Sequence, residues 1–408
     1  MKSVNIAQLP QVLAGLPTDP RLIASGNFAT PHTVLRAIDT IIPVYRLHML
    51  NAQPGIPNRD GVTYESVFVG SGMRNHPALD YFPARLSLLP RLIKTHCHPD
   101  VVLVHTSLPR DGKVSLGTEV NILPAAIESV RKHGGIVIAQ ANPHMPYTFG
   151  DSEIAVDQID YVIEVDEALS EHTQHAPTDI ARRIGEKIAE HVKHGSTLQL
   201  GIGGIPDSVL TALLGHKGLR IWTEMFSDGV LRLRDAGALD PDSPITASFV
   251  FGSRELYDWL HLNDKVAMRR TEVTNDSGLI SQQHQMTSVN AALQVDLFDQ
   301  ANASRVRGQI YSGFGGSTDF IVGALHAHSG LAFMALPSWH EKSNTSTIVP
   351  LLADPVTSFQ HSYVVTENGI AHCAGASQAQ QARNLIQHAA HPNARDELTL
   401  AAKKLNLF

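Results

Sequence analysis

Cysteine is scarce in this sequence of 408 residues, with only Cys97 and Cys373 present. Two cysteines so far apart cannot form the dense disulfide framework that stabilises small secreted domains. The run His96-Cys97-His98 offers three metal-ligating side chains, but neighbours in an extended segment point to opposite faces. No second ligand pair follows at the spacing of a zinc finger. The sequence therefore predicts neither a disulfide scaffold nor a metal site.

Long apolar runs and runs of Lys and Arg are lacking as well. A transmembrane helix needs about 20 mostly apolar residues in succession, so no membrane partner is predicted. Residues 1–13 have no sustained apolar core and are not typical of a signal peptide, which favours a cytoplasmic location. A nucleic-acid partner would require a basic surface, whereas the net charge is −7. No nucleic-acid partner is therefore predicted.

The residues that are present are typical of a packed protein with more than one domain. Hydrophobic residues make up 43% of the chain and charged residues 17%. Short apolar runs alternate with helical patterns, which predicts two α/β domains with mainly parallel sheets. We interpret the polar stretch Asp166–Thr178 as a linker, so that the predicted domains are residues 1–178 and 179–408. Folds of this kind often bind ligands between domains, and we expect the active site at the domain interface.

The predicted elements follow from apolar runs, helical spacing and glycine or proline boundaries. The predicted strands are Arg21–Ala24, Val101–His105, Gly135–Ala139, Tyr161–Val165, Thr197–Leu200, Leu219–Thr223, Ala247–Phe251, Ser288–Leu297, Gln309–Tyr311, Ala332–Leu336 and Ser362–Val365. The predicted helices are Val120–His133, Asp179–His194, Asp207–Leu214, Thr318–His326, Ser377–His388 and Arg395–Leu405.

Two glycine-rich turns join a predicted strand to a predicted helix, at Leu200–Asp207 and Ser312–Ser317. Glycine lets backbone amides approach a ligand, and a helix N-terminus favours anions. In the second turn, three glycines in four positions could aim several amides at an oxyanion or a thioester carbonyl. Close packing without a ligand explains either turn equally well. Neither turn has the spacing of a dinucleotide fingerprint or of a P-loop.

The segment Ser288–Leu297 reads as one strand with two different faces. Alternation places five apolar side chains on one face and Asn290, Ala292, Gln294 and Asp296 on the other. The small polar face suits the floor of a cleft, although a half-exposed strand has the same pattern.

Several long segments, in order along the chain, resemble one enzyme family. They include GIGGIPDSVLTALLGHKGLRIWTEMFSDGVLRL (Gly201–Leu233), FGSRELYDWL (Phe251–Leu260), TNDSGLISQQHQMTSVNAALQVDL (Thr274–Leu297), SGFGGSTDF (Ser312–Phe320), VVTENGIAHCAG (Val364–Gly375), Ala390–Leu398, Ser107–Gly117 and Gln140–Pro146. On these motifs the chain is similar to the acetyl-CoA hydrolase/CoA-transferase family, which includes acyl-CoA:carboxylate CoA-transferases of the 4-hydroxybutyrate and acetate types. The resemblance implies two related α/β domains, a homodimer, and an acyl-CoA and a small carboxylate as substrates, without a metal.

The resemblance also implies a covalent mechanism. A glutamate carboxylate attacks the acyl-CoA thioester, and the acyl-glutamyl anhydride formed is converted by CoA thiolate into a glutamyl-CoA thioester. The family motif that places this glutamate just before Val-Asp puts it at Gln294, whose neutral amide is a poor nucleophile. Three explanations stay open: an introduced change from glutamate, altered chemistry such as acyl-CoA hydrolysis or another acyl transfer, or binding of CoA esters without turnover.

Further positions carry roles implied by the same resemblance. Those that would contact coenzyme A or its thioester are Val273, Thr274, Asn275, Gly313, Gly315, Gly316 and Gly369. Glu224, in Thr223-Glu224-Met225, also matches a family motif, but the sequence assigns no role to it.

Overall fold

The computed structural model describes residues 1–172, 176–356 and 360–408. Three residues of the predicted linker, 173–175, lie outside the described residues. The chain divides into two compact units: Met1–Thr173 with Ile245–Thr274 and Ile310–Gly315, and Gln174–Pro244 with Asn275–Gln309 and Gly316–Phe408. Each unit is thus built from several segments, and the single boundary after residue 178 stays a prediction.

The described part of the first unit contains a sheet of eight parallel strands. Their spatial order is Lys2–Ser3, Tyr161–Glu164, Ile136–Ala141, Val101–Thr106, Arg21–Ala24, Tyr45–His48, Val62–Ser66 and Leu79–Tyr81. Smaller sheets join Lys113–Ser115 to Glu153–Ala155, and Ile245–Ala247 to Val266–Met268 and Phe149–Gly150. The α-helices of this unit are Leu9–Leu13, His32–Ile41, Leu89–Thr95, Leu123–His133, Arg254–Leu260 and Thr271–Thr274.

Amphipathic helices cover the sheet of the first unit. In His32–Ile41, the buried side chains Val34, Leu35 and Ile38 recur at helical spacing. They belong to the same apolar core as Leu22 and Leu47 of the sheet. The helical periodicity of the sequence thus becomes one buried face on each helix.

The second unit has a six-stranded sheet within its described residues. The spatial order is Arg220–Ile221, Thr197–Leu200, Thr287–Ala291, Leu331–Ala335, Tyr363–Thr366 and Gly369–His372, and only the last pair is antiparallel. The α-helices are Asp179–Ala189, Gly204–Ala212, Gly229–Asp235, Ser277–Ser281, Ser317–His326, Gln378–Asn384 and Arg395–Lys404, and a π-helix spans Leu385–Ala389. Further short strands of this unit are Met225–Phe226, Gln294–Asp296, Ala301–Asn302, Arg305–Val306, Trp339–His340, Thr345–Ser346 and Ile348–Val349. The short strand Phe249–Val250 belongs to the first unit, and Gln309–Ile310 has one residue in each unit. The predicted α/β class with mainly parallel sheets is confirmed.

The first helix of the second unit begins where the sequence predicts and ends earlier. The Thr178 hydroxyl accepts a hydrogen bond from the Ala181 amide, which caps the N-terminus at Asp179. The helix ends at Ala189 rather than His194, because His191 and Val192 bond three residues back in tighter turns.

A buried ion pair crosses the strands of the first unit. Glu65, whose side chain is fully buried, accepts hydrogen bonds from Arg21 Nε at 2.8 Å and Nη2 at 3.0 Å. His48 Nδ1 lies 3.6 Å from the same carboxylate. Burial by itself raises the pKa of Glu65, but the contacts with His48 and Arg21 outweigh it and hold the pKa at about 2.

Replacing Glu65 by Gln is expected to lower the free energy of unfolding by about 3 kcal/mol at pH 7, because it leaves the Arg21 charge without its partner. A carboxyl whose folded pKa lies below its unfolded pKa stabilises the protein above the unfolded pKa. The difference between the two proteins should therefore shrink as pH falls toward about 2. Denaturant unfolding at several pH values measures it. Asp19→Asn, which breaks an exposed pair with Arg46, is the control and should change stability by less than about 1 kcal/mol. Equal stability of Glu65→Gln and the parent would contradict the assignment.

Candidate active site

A carboxylate packs against a glycine backbone in the second unit. Oε2 of Glu224 accepts a hydrogen bond of 2.9 Å from Nδ2 of Asn275. A Cβ atom placed on Gly316 would lie 1.8 Å from the same oxygen and 2.2 Å from Asn275 Nδ2. Any side chain at position 316 would therefore displace the carboxylate, the amide or the loop. Asn275 is buried, and Glu224 is half-buried.

The local folding of the second unit explains how these three residues meet. Trp222 N bonds to Leu198 O, so the chain leaves the sheet at the carboxyl end of Thr197–Leu200 and reaches Glu224 directly afterwards. Gly316 precedes the helix Ser317–His326, and Asn275 precedes the helix Ser277–Ser281. The two helices pack closely, because a Cβ on Gly323 would lie 2.4 Å from the Ile280 side chain. Asn275 and Gly316 are therefore each held at the start of a helix.

The earlier glycines of the same loop belong to the first unit, where the backbone packs closely. A Cβ on Gly313 would lie 2.3 Å from the carbonyl oxygen of Val67, and one on Gly315 would lie 3.0 Å from the Phe68 ring. Gly315 has a φ of +57°, a left-handed conformation that favours glycine. Ser312 O accepts from the Val69 amide at 2.7 Å. The loop is thus held in a defined conformation.

The other residues predicted to contact coenzyme A lie in different surroundings. Val273 and Thr274 end the short helix Thr271–Thr274 of the first unit, and both amides bond to the Arg270 carbonyl. Gly369 starts the antiparallel edge strand of the second unit, where a Cβ would lie 2.4 Å from the His388 carbonyl oxygen. Tight packing thus accounts for glycine at 369, and its contact with a nucleotide stays a prediction.

The predicted single strand Ser288–Leu297 is wrong. Thr287–Ala291 belongs to the main sheet, whereas Gln294–Asp296 pairs with Ala301–Asn302 and Ile348–Val349 in a separate small sheet. The change occurs at residues 292 and 293, where the Ala292 amide bonds to Ala335 O and the next amide bonds to Asn302 O. Alternation was misleading because Thr287–Asn290 is buried on both faces, as a central parallel strand is.

Position 294 consequently has surroundings different from those expected. Gln294 is half-buried and pairs through its backbone with Asn302. Its side chain forms no hydrogen bond with any residue that the structure describes. Asp296, two residues on, is buried and accepts hydrogen bonds from the amides of Phe298, Gln300 and Leu352, so it caps a turn. Among the described residues, the Gln294 side chain is therefore not hydrogen-bonded to Asn275, whereas Glu224 is.

The glycine turn at Leu200–Asp207 has more open surroundings. The helix begins at Gly204, three residues before the predicted start, and Gly203 has a φ of +119°. A Cβ on either of these glycines would have nothing within 4 Å. The positive φ therefore explains why position 203 is glycine, but close packing does not explain glycine at position 203 or at position 204.

Glu224 is the residue whose role the sequence did not reveal. Its motif was visible, and so was its place directly after a predicted strand, but Asn275 and Gly316 are 51 and 92 residues further along the chain.

Among the described residues no cluster of three or more His, Cys, Asp or Glu is arranged to hold a metal ion. No helix in the described ranges is both long enough and apolar enough to span a bilayer.

Comparison with known proteins gives matches along most of the chain. Residues 39–171 match the acetyl-CoA hydrolase/transferase N-terminal domain, and residues 252–402 match the C-terminal domain of the same family. The 4-hydroxybutyrate coenzyme A transferase of Clostridium kluyveri is 36% identical over 385 residues, which cover 90% of this chain and 89% of that protein.

Two solved structures are similar in fold over almost their whole length. RipA from Yersinia pestis has a TM-score of 0.92 at 26% identity, covering 100% of this chain and 98% of that one. A 4-hydroxybutyrate CoA-transferase from Porphyromonas gingivalis has a TM-score of 0.81 at 29% identity, covering 99% and 98%.

Proposed function

The chain belongs to the acetyl-CoA hydrolase/transferase family, and we propose that it transfers coenzyme A from an acyl-CoA to a small carboxylate through a glutamyl thioester on Glu224. The observation that carries this proposal is the position of the Glu224 carboxylate, against Gly316 and hydrogen-bonded to Asn275. Both neighbours were assigned to thioester or coenzyme A contact by their motifs. The Gln294 side chain forms no hydrogen bond with Asn275 in the described residues, and the geometry around Glu224 therefore favours Glu224 as the nucleophile.

The steps of the reaction follow from the chemistry of a carboxylate nucleophile. A Glu224 oxygen attacks the thioester carbonyl carbon, and the C–S bond breaks to give an acyl-glutamyl anhydride and CoA thiolate. The thiolate then attacks the glutamyl carbonyl carbon and releases the donor acid as a carboxylate. An acceptor carboxylate attacks the glutamyl-CoA thioester, and the same two steps in reverse release the new acyl-CoA and restore Glu224.

The surroundings of Glu224 suit these steps. The Asn275 amide donates to one carboxylate oxygen and so fixes the orientation of the group before attack. Glycine at 316 allows the reacting carbon to approach the backbone closely, where an amide N–H can stabilise the oxyanion that develops. Asn275 and Gly316 thus orient the nucleophile and admit the thioester.

Incubation with acetyl-CoA and a second carboxylate, such as propionate or 4-hydroxybutyrate, tests the proposal. We expect the new acyl-CoA to accumulate without net loss of thioester, with parallel lines in double-reciprocal plots that indicate a ping-pong mechanism. Release of free thiol at the same rate with and without the acceptor would identify a hydrolase instead. Tight binding of acetyl-CoA with neither reaction would identify a protein that binds CoA esters without turnover.

Homodimeric assembly and a cytoplasmic location stay predictions. The acyl group and the acceptor are left open, because selectivity depends on the shape of the acyl pocket. The carboxylate series in the transfer assay identifies them directly.

A further inference from the structure

A second glutamate, Glu119 of the first unit, is buried among hydrogen-bond donors. Its side chain is 2% exposed. Oε2 accepts from Asn27 Nδ2 at 2.6 Å, and Oε1 accepts from Asn121 Nδ2 at 2.8 Å and from the Gly26 amide at 3.4 Å. No charged side chain in the described part of the chain pairs with it. Burial without a counter-ion raises the pKa of Glu119 to about 7, even though the three donors favour the ionised form.

A continuous set of contacts leads from Glu119 to the glycine loop. Asn27 accepts a hydrogen bond of 2.8 Å from the Asn51 side chain, and the Asn51 amide donates to Phe68 O at 2.8 Å. The Phe68 ring packs against Gly315, where a Cβ would be 3.0 Å away. Asn27 and Asn51 both have a φ of +45°, a left-handed backbone conformation that asparagine adopts more readily than most residues. All of these contacts lie within the first unit.

The position of this network in the sheet also points to function. Arg21–Ala24 lies between Val101–Thr106 and Tyr45–His48 in the sheet. The strands that follow Arg21–Ala24 in the chain are added toward one edge of the sheet, beginning with Tyr45–His48. From Val101–Thr106 onward, the next strands are added toward the other edge. This is the topological switch point, and open α/β sheets bind ligands outside the carboxyl ends of the strands there. Gly26 and Asn27 follow the carboxyl end of the central strand Arg21–Ala24.

We propose that Glu119 is a positioning residue for the loop segment Gly313–Gly315, acting through Asn27, Asn51 and Phe68. The inference rests on the proposed function, in which Gly316 lies beside the thioester, because Gly316 directly follows this segment in the chain. The ionised carboxylate accepts all three donors and holds the loop after Arg21–Ala24. A protonated Glu119 would carry an O–H donor that faces the Nδ2 groups of Asn27 and Asn121, which are donors themselves. The Oδ1 atoms of these two residues already accept, from the Asn51 side chain and from the Ile122 backbone amide. Protonation therefore loosens the network and the glycine loop with it.

Other titratable groups on the surrounding elements do not account for a change near neutral pH. His105 lies in Val101–Thr106 and bonds through Nδ1 to the Ala29 carbonyl, while His32 begins the helix His32–Ile41. Burial lowers the pKa of both, that of His105 to about 4, so each titrates below Glu119. Glu167 accepts hydrogen bonds from Gln140 and Thr33 rather than from Asn27 or Asn121.

The pH dependence of transfer tests the inference. For the parent protein we expect kcat/KM for acetyl-CoA to fall about tenfold from pH 8 to pH 6, because the active form carries an ionised group that titrates near pH 7. In Glu119→Gln, a neutral isostere, kcat/KM should be low and independent of pH across this range. Asn51→Gly keeps the carboxylate and tolerates positive φ but breaks the network, so it should also be low and independent of pH. Asp39→Asn, a change from carboxylate to amide near Tyr45 and Arg59, should retain the full dependence on pH.

The possible outcomes separate this inference from the proposed function. If kcat/KM still falls from pH 8 to pH 6 in Glu119→Gln or in Asn51→Gly, the positioning role is overturned, while the proposed transfer activity stands. If Glu119→Gln does not fold, Asn51→Gly still decides. If the parent shows no transfer at any pH, the proposed function fails, and calorimetric binding of acetyl-CoA then decides the inference. Weaker binding at pH 6 than at pH 8 would support it, and equal binding would overturn it.

Discussion

Replacing Glu224 by Gln is expected to lower the transfer rate by at least about 10⁴-fold, since removing a covalent nucleophile eliminates the pathway. The amide has the volume of the carboxylate and can still accept from Asn275, so acetyl-CoA affinity should change by less than about threefold. Intact-mass measurement after incubation with acetyl-CoA should detect a CoA adduct in the parent and none in Glu224→Gln. Peptide mapping should place a hydroxylamine-sensitive thioester at residue 224.

Variants at position 294 provide the matched control for that experiment. If Glu224 is the nucleophile, Gln294→Ala retains transfer, and Gln294→Glu does not restore activity to Glu224→Gln. The opposite pattern would support the motif-based prediction instead. In that pattern the parent is nearly inactive, Gln294→Glu gains transfer by several powers of ten, and the adduct appears at residue 294.

Replacing Gly316 by Ala is expected to lower kcat/KM by about 10²- to 10³-fold, because the new methyl group would lie 1.8 Å from the Glu224 carboxylate. The carboxylate must then move by an ångström or more from the position in which Asn275 holds it. Gly316 has a φ of −97°, which alanine adopts without strain, so the effect isolates the lost space.

Gly215→Ala is the matched control for that substitution. Gly215 belongs to the same unit, is exposed, and a Cβ there would meet nothing within 4 Å. Steady-state kinetics of both variants should show a large loss in the first and none in the second, with similar thermal midpoints. Parent-like activity of Gly316→Ala would exclude Glu224 as the nucleophile in this geometry.

Much of the fold could be predicted from local patterns. Arg21–Ala24 and Thr197–Leu200 have the predicted bounds, because buried strands between turn residues carry a strong signal. The break between Ala291 and Gln294 could not be predicted, since it depends on pairing with Ala335 and Ile348, which are distant in sequence. Alternation continues across the break although the strand does not.

The sequence also predicted only part of the candidate site, because the site joins residues that are far apart along the chain. Motifs identified Asn275 and Gly316 individually, and the structure brings both to Glu224. A pattern along the chain cannot show which carboxylate such residues surround. Glu119 gave no signal, because its donors at Gly26 and Asn27 lie more than 90 residues earlier.

The segmented composition of the first unit has a consequence for synthesis on the ribosome. Its main sheet is complete in sequence by Glu164, yet the loop that packs on Val67 and Phe68 is residues 310–315 of the 408-residue chain. Domains generally fold as they emerge, N-terminal parts first. Here the nascent sheet must wait, with the Val67 carbonyl and the Val69 amide uncovered by the loop, until about half of the second unit has been translated. Chaperone binding to stalled nascent chains should therefore persist past residue 244 and decline once residue 315 has left the exit tunnel.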